Sequence, residues 1–235
     1  TRIAHHAIAA KHAEAILQYA QQAARKATQR RAHREAATLL SAMLPYTGGM
    51  PDADRAVFYE QRCQACFLID QGCEAIAMSE AAHELWESLG DRFAQGRNLV
   101  RRCDIIFDAA FSRRTEMPAL AERAVDLLKA DAPSAEFALA KLWQAHTIVR
   151  QEPERSRVCL DQAMRAAEQI RESEAVAEVQ SRAAHVEFCL FGVASGGGST
   201  RLFELSRRHG SDRGVLSAYV AAAVAALHSR DLAST

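Results

Sequence analysis

The sequence predicts an all-α fold of stacked, paired helices, and three observations carry this prediction. Helix breakers are few, with 11 Gly and 5 Pro among 235 residues, while alanine is very frequent; this composition favours close-packed helices over strands. Apolar residues recur near every 3.6 positions in stretches of roughly 11–22 residues between turn signals. These stretches return at a period of about 40 residues, which is typical of helical-repeat proteins.

Turn signals divide the chain into helix pairs. The long first helix of each pair, helix A, is predicted to start near residues 11, 52, 91, 134, 174 and 212. The second helix of each pair, helix B, follows the next turn signal. The turn signals lie at residues 29–31, 46–52, 70–72, 89–91, 112–115, 130–134, 151–153, 172–173, 195–199 and 210–211.

Local residues mark where these helices begin and end. The run Pro-Asp-Ala-Asp at 51–54 opens a helix with carboxylates in its first turn, which interact favourably with the helix dipole. Ser134 and Glu152 stand at similar starts, each with an acidic residue close behind. Gly90 follows a helix as a C-terminal cap would.

The B helices share a ladder of small and apolar residues. In each, a small side chain lies mid-helix with apolar residues one turn on either side, which allows a neighbouring helix to approach closely. The sets superpose at offsets of about 40 residues. They are Ala77, Ala81 and Leu85; Leu120, Ala124 and Leu128; and Cys159, Ala163 and Ala167.

We therefore predict a right-handed α-solenoid of about five to six antiparallel helix pairs, tetratricopeptide-like, with the A helices lining one face. HEAT-type pairing is the alternative, because the period exceeds the standard tetratricopeptide length of about 34 residues and the signature is poorly kept. Residues 1–235 are expected to form one such domain, with a flexible Gly-rich loop at 195–199. Because the chain starts at Thr1 in a segment that is already predicted helical, we expect a fragment of a longer protein.

Charge and hydropathy narrow the classes of partner. Lys+Arg and Asp+Glu both number 29, and this balance argues against direct contact with nucleic acid. The most apolar tract, 215–227, is too short to span a bilayer, and no signal peptide is present. Most of the six cysteines lie among apolar residues, as reduced thiols of a cytosolic protein do. We expect a cytoplasmic protein that contacts neither DNA nor membrane.

No sequence motif for catalysis or metal binding is complete. Cys63-x-x-Cys66 lacks a second ligand pair, and Cys73 adds only one thiolate. A redox CxxC opens a helix, whereas this one lies inside a helix, so we interpret its cysteines as core residues. His5 and His12 share a helix face without a completing ligand set. We expect no enzyme activity, no metal and no cofactor; an all-helical metal protein or enzyme using the three cysteines is the open alternative.

The face of the A helices is the predicted binding surface. Cys63, Cys103 and Leu142 are expected to pack towards the B helices. Side chains roughly opposite them are candidates for contact with a ligand or partner, and plain solvated surface is the alternative. The candidates are Gln64, Arg101, Asp104 and Gln144, flanked by Trp143 and His146.

Several segments together resemble the helical-repeat region of large ATP-binding LuxR-type transcriptional regulators of bacteria. They are residues 2–20 (Arg-Ile-Ala-His-His to Gln-Tyr-Ala), 32–37, 59–62 with Cys66, and Ala75 with 85–91 (Leu-Trp-Glu-Ser-Leu-Gly-Asp). The resemblance covers roughly residues 1–170 and fades after the glycine loop. In that family a signal-transduction ATPase precedes the array and a helix-turn-helix follows it.

The resemblance implies a sensor or interaction module without catalysis. Such a module would bind an effector or a protein partner, including neighbouring domains of the same regulator, and relay that event to ATPase and DNA-binding domains outside this chain. Since the warrant is analogy at the level of fold, a general protein-binding scaffold of tetratricopeptide type is the second hypothesis.

Overall fold

The computed structural model of the chain describes residues 2–171, 175–176, 178–180, 182–183 and 186. The described residues are helical, with connecting turns and no β-strand among them, which confirms the predicted all-α class. The chain divides into two compact units, Thr1–Thr115 and Glu116–Thr235.

The helices follow one another with short connections. The first unit contains α1 (Arg2–Ala9), α2 (Ala13–Ala15), a π-helical turn (Ile16–Ala20), α3 (Gln21–Gln29), α4 (His33–Met43), a 3-10 helix (Leu44–Gly49), α5 (Asp52–Phe67), α6 (Gly72–Ser88) and α7 (Arg92–Ala109). A 3-10 helix (Phe111–Glu116) leads to α8 (Met117–Leu128), which is followed by a 3-10 turn (Lys129–Asp131), α9 (Ala135–Ile148) and α10 (Pro153–Glu168).

The predicted helix starts at 52, 91 and 134 agree with the structure to within one residue. Local capping explains this agreement: the Asp91 side chain accepts a hydrogen bond from the Ala94 amide at 2.9 Å, and Ser134 Oγ accepts one from the Phe137 amide at 3.2 Å. The helix predicted from residue 11 begins at Ala13, because the backbone turns at residue 11 with φ of 52°. The starts at 174 and 212 and the loop 195–199 lie outside the described residues.

α6 and α7, two consecutive long helices of the first unit, run antiparallel. The Trp86 carbonyl, near the end of α6, accepts a hydrogen bond from Gln95 near the start of α7 at 3.2 Å. Earlier in α6, Ser79 Oγ donates to Asn98 Oδ1, further along α7, at 3.0 Å. Because the partners move in opposite directions along the two helices, α6 and α7 are antiparallel.

The second unit shows the same relation between α9 and α10. Ser156 Oγ donates to the Ala145 carbonyl at 2.8 Å, and Cys159 Sγ donates to Gln144 Oε1 at 3.3 Å. The contact positions again advance in opposite directions, so these helices form an antiparallel pair. α8 also packs against α9.

The predicted ladder of the B helices is wrong by one residue in α6. Ala77 is exposed and Leu85 only half-buried, whereas Ala82 and Trp86 belong to the core. The other two sets fare better, since Ala124, Leu128, Cys159, Ala163 and Ala167 are all buried. Alanines occur on several faces of α6, and they give the sequence pattern too little contrast to fix the buried stripe.

The positions expected to pack towards the B helices are core residues. Cys63, Cys103 and Leu142 are each no more than 2% exposed. Cys66 and Cys159 are buried as well, while Cys73 is exposed. Cys189 lies outside the described residues. Within the part of the chain that the structure describes, none of the helices combines the length and apolar character needed to cross a membrane.

Candidate functional site

A groove of about 420 Å³ opens on the first unit where α5 and α7 lie side by side. Polar side chains occupy its middle, and the apolar side chains of Val57 and Leu68 lie along its wall. The lining residues are Thr28, His33, Val57, Glu60, Gln61, Cys63, Gln64, Ala65, Leu68, Arg97, Asn98 and Arg101. The groove is therefore formed chiefly by two helices of the A type.

Two side-chain pairs cross the groove from α7 to α5. Arg97 Nη2 lies 2.8 Å from Glu60 Oε2, and one turn further along both helices Arg101 donates a hydrogen bond to Gln64 Oε1. Each pair joins residues 37 positions apart. Because the partners advance together, α5 and α7 run parallel, with the antiparallel α6 between them in sequence.

The Glu60 carboxylate is held on both oxygens. Oε1 accepts a hydrogen bond from Trp86 Nε1 at 3.1 Å, and Oε2 accepts the bond from Arg97. Its side chain is only 24% exposed. The carboxylate is thus engaged with the protein before any ligand arrives.

Arg101 differs from Arg97 in its surroundings. Its side chain is exposed, and its hydrogen-bond partner is the neutral amide of Gln64. Among the described residues, no Asp or Glu oxygen lies within 4.0 Å of its guanidinium. Arg101 therefore offers a positive charge to the groove without a carboxylate beside it.

The floor of the groove is buried and already hydrogen-bonded. Asn98 Oδ1 accepts bonds from Ser79 Oγ at 3.0 Å and from Arg102 Nη2 at 3.3 Å. Burial raises the pKa of the Cys63 thiol from 9.0 to about 12, although the charge of Arg101 opposes this shift. At neutral pH Cys63 is a protonated thiol, which is a weak nucleophile.

The structure brings together two of the six residues predicted for the binding face, Gln64 and Arg101. Asp104 lies one turn beyond Arg101 on α7 but is 4% exposed, not on an open face. The second half of α7 is buried on most of its sides, from Leu99 to Ile106 with the exception of Arg101. Spacing alone does not distinguish such a helix from one with a solvated face.

The other three predicted residues lie on α9 of the second unit. Gln144 is buried, and its Oε1 accepts hydrogen bonds from Lys141 Nζ at 3.0 Å and from Cys159 Sγ, so its amide serves packing between α9 and α10. Trp143 is 7% exposed. The half-buried His146 ring meets Trp143 edge-on, with centroids 5.5 Å apart. The open-face position predicted for Gln144 and Trp143 is not found.

Sequence reasoning missed the residues that pair with the two correct ones. Glu60 precedes Gln64 by one helical turn, and Arg97 precedes Arg101 by one turn. This i, i+4 spacing on two successive A helices is a signal that could have identified both.

Neither a metal-ligand cluster among the described residues nor a match to a known protein points to a function for the groove. Among the residues described, no three His, Cys, Asp or Glu side chains are grouped so that they could hold a metal ion. No protein-family model matches the sequence, and a search of the curated proteins finds no match.

Proposed function

We propose that this chain is a non-catalytic binding module, a right-handed, tetratricopeptide-like α-solenoid that holds an effector or partner in the groove between α5 and α7. One observation carries the proposal: two parallel helices, separated in sequence by an antiparallel one, present hydrogen-bonding side chains around a groove of about 420 Å³. That volume lies within the usual range for small-ligand sites, about 300–1,000 Å³.

The pattern of burial supports the repeat. Four positions with the spacing i, i+4, i+7 and i+11 are buried in or just after α4, and equivalent sets recur at intervals of about 40 residues in α6, α8 and α10. The four sets are Ala36, Leu40, Met43 and Thr47; Ala75, Ser79, Ala82 and Trp86; Met117, Ala121, Ala124 and Leu128; and Ser156, Leu160, Ala163 and Ala167. Equivalent burial in successive helices is what stacked helix pairs produce.

The regulatory part of the proposal rests on the sequence resemblance to LuxR-type regulators. In this role the chain is cytoplasmic, senses an effector or contacts neighbouring domains, and relays that event to an ATPase and a DNA-binding domain. A general protein-binding scaffold is the second candidate, and the parallel α5–α7 groove favours it equally. The sequence on either side of residues 1–235 separates the two, because only the regulator requires both flanking domains.

A ligand screen tests the binding role. The unfolding midpoint of the chain is measured against panels of metabolites and short peptides, since a ligand at one hundred times its Kd stabilises the folded state by about 2.7 kcal/mol. We expect at least one compound to raise the midpoint, and Gln64→Ala to reduce that rise. Gln162→Ala, at an exposed position of α10, is the matched control. A stabilising compound that tolerates Gln64→Ala and every other groove substitution would place its site elsewhere and refute the proposal.

A further inference from the structure

We propose that the ligand of the groove is a small organic anion, a carboxylate or phosphate attached to an apolar body, and that Arg101 binds its charged group. This inference rests on the proposed function, since it names the chemistry of the ligand at the same site. The charges, hydrogen bonds and shape of the groove support it.

The fixed charges of the groove favour an anion. Its lining holds two guanidinium groups, Arg97 and Arg101, and one carboxylate, Glu60. The carboxylate already accepts hydrogen bonds from Arg97 and from Trp86. One positive charge therefore remains without a neighbouring carboxylate among the described residues, and it lies on the exposed side chain of Arg101.

The bond that Arg101 makes in the structure is one that an anion can replace. Gln64 offers a neutral amide oxygen, whereas an anionic acceptor would add the attraction between opposite charges to the hydrogen bond with the guanidinium. The planar guanidinium can also receive two oxygens of a carboxylate or phosphate at once. An incoming anion would take the place of Gln64 Oε1 at the guanidinium, and the released Gln64 amide would donate a hydrogen bond to the ligand from its Nε2.

The length and walls of the groove indicate an organic ligand. Val57, in the second turn of α5, and Leu68, which caps its C-terminus, both line the groove and are separated by about 16 Å along the helix axis. Their side chains are 38% and 43% exposed. A bare phosphate or chloride ion would leave both in water, whereas a molecule with an apolar portion would cover at least one of them.

Direct titration with simple probes tests this inference. Binding of benzoate, phenyl phosphate, inorganic phosphate and the neutral analogue benzamide is measured by NMR chemical-shift perturbation on the full chain. Benzoate and phenyl phosphate are expected to perturb residues of α5 and α7. The one that binds more tightly shows whether the charged group of the ligand is a carboxylate or a phosphate. Inorganic phosphate and benzamide should each bind about tenfold more weakly, because each lacks one half of the recognised molecule.

Three variants of opposite expected effect sharpen the test. Arg101→Gln should weaken the binding of the organic anions about tenfold. Arg101→Lys keeps the charge but loses the planar fork, so its affinity should lie between those of the original chain and Arg101→Gln. Glu60→Gln keeps an acceptor for Trp86 but removes the carboxylate that pairs with Arg97, so it should raise the affinity for the anions about threefold. Arg123→Gln, at an exposed position of α8, should leave them unchanged.

The possible results separate this inference from the proposed function. If benzamide binds as tightly as benzoate, or if Arg101→Gln and Arg101→Lys both leave benzoate binding unchanged, the anion assignment is overturned. A neutral compound from the ligand screen that loses binding in Gln64→Ala but not in Arg101→Gln would overturn it too, while leaving the groove as the binding site. Perturbations confined to helices other than α5 and α7 would overturn both.

Discussion

At the scale of single residues, Cys63 shows how the environment sets chemistry. It is 2% exposed, and its pKa is raised to about 12 because burial disfavours the thiolate. The pKa of Cys66 is raised for the same reason. Cys73, the second residue of α6, is exposed. The CxxC pattern thus consists of two core side chains with little thiolate at neutral pH.

Alkylation therefore should discriminate between these cysteines. At pH 8 iodoacetamide is expected to modify Cys73 at least about tenfold faster than Cys63 or Cys66, because only the accessible thiolate reacts. Peptide mass spectrometry of the native protein reads each site separately. The same reaction in denaturant is the control, and there the three rates should converge. Equal rates in the native protein would contradict the burial of Cys63.

The raised pKa also makes stability depend on pH. The folded protein keeps the Cys63 proton up to about pH 12, whereas the unfolded chain releases it near pH 9.0. Because the unfolded state binds fewer protons in that interval, the free energy of unfolding falls as pH rises from 9 to 12. In urea titrations, the free energy of unfolding of the Cys63→Ala variant should fall less steeply over this pH interval. An identical slope in both proteins would contradict the shift.

Arg102 is a buried cation that donates its hydrogen bonds to neutral groups, while the charge of the Glu80 carboxylate also favours its protonated form. It is 8% exposed, burial lowers its pKa, and it donates to Ser79 Oγ at 3.2 Å, to the Ser79 carbonyl at 3.1 Å and to Asn98. Arg102→Ala should lower the free energy of unfolding by about 2–4 kcal/mol, because Ser79 and Asn98 lose a partner inside the protein. A double-mutant cycle with Ser79→Ala should show coupling of about 1 kcal/mol. Additive effects would indicate that the hydrogen bonds contribute nothing beyond packing.

At the scale of helices, the contact between α6 and α7 depends on a glycine. A Cβ added at Gly72 would lie 2.8 Å from Ala109 Cβ and 2.9 Å from the Ala109 carbonyl oxygen. Both are closer than van der Waals contact allows, and the backbone oxygen cannot rotate away. The first turn of α6 can therefore lie against the last residue of α7 only while position 72 carries no side chain.

Gly72→Ala should accordingly lower the free energy of unfolding by about 1–3 kcal/mol in urea titrations. Gly49→Ala is the matched control, since an added Cβ there meets nothing within 4 Å, and its effect should stay within about 0.5 kcal/mol. Gly72→Ala combined with Ala109→Gly should recover part of the loss, because the Cβ contact is removed while the carbonyl contact remains. Equal effects of the two single alanine substitutions would contradict this packing.

The helices themselves were largely predictable because their signals are local. Asp91 and Ser134 are capping residues whose side chains accept hydrogen bonds from backbone amides three residues ahead. The helix starts could therefore be placed to within one residue. The buried stripe of α6 was not predictable, because Ala77 and Ala82 have the same side chain on different faces. Burial there is decided by which neighbour packs against the helix.

The candidate site was predictable only in part, because packing between helices decides which side chains stay on an open face. Gln64 and Arg101 follow from the idea that A helices line a binding face, and both line the groove. Asp104 does not, because neighbouring helices cover that part of α7. The pairing of Glu60 with Arg97 depends on contact between helices 37 residues apart, which spacing along one helix does not reveal.

At the scale of the whole molecule, the proposed repeat predicts that equivalent positions respond alike to the same substitution. Ala82, Ala124 and Ala163 are all fully buried, and each is the third residue of its set of four buried positions in α6, α8 or α10. Leucine at any of them should overpack the core and lower the free energy of unfolding by about 1–3 kcal/mol. Ala77→Leu, at an exposed position of α6, should change it by less than about 0.5 kcal/mol. Damage from Ala77→Leu together with tolerance of Ala82→Leu would contradict the register.

The most direct measurement of the central claim is hydrogen–deuterium exchange of the chain with and without the compound that most raises its unfolding midpoint. If the groove is the binding site, exchange slows in peptides covering residues 57–68, from α5 and its C-terminal cap, and residues 97–101 of α7, which line it. Arg101→Gln should reduce that protection at the same ligand concentration. Protection that appears in other helices and leaves both of these segments unchanged would contradict the account.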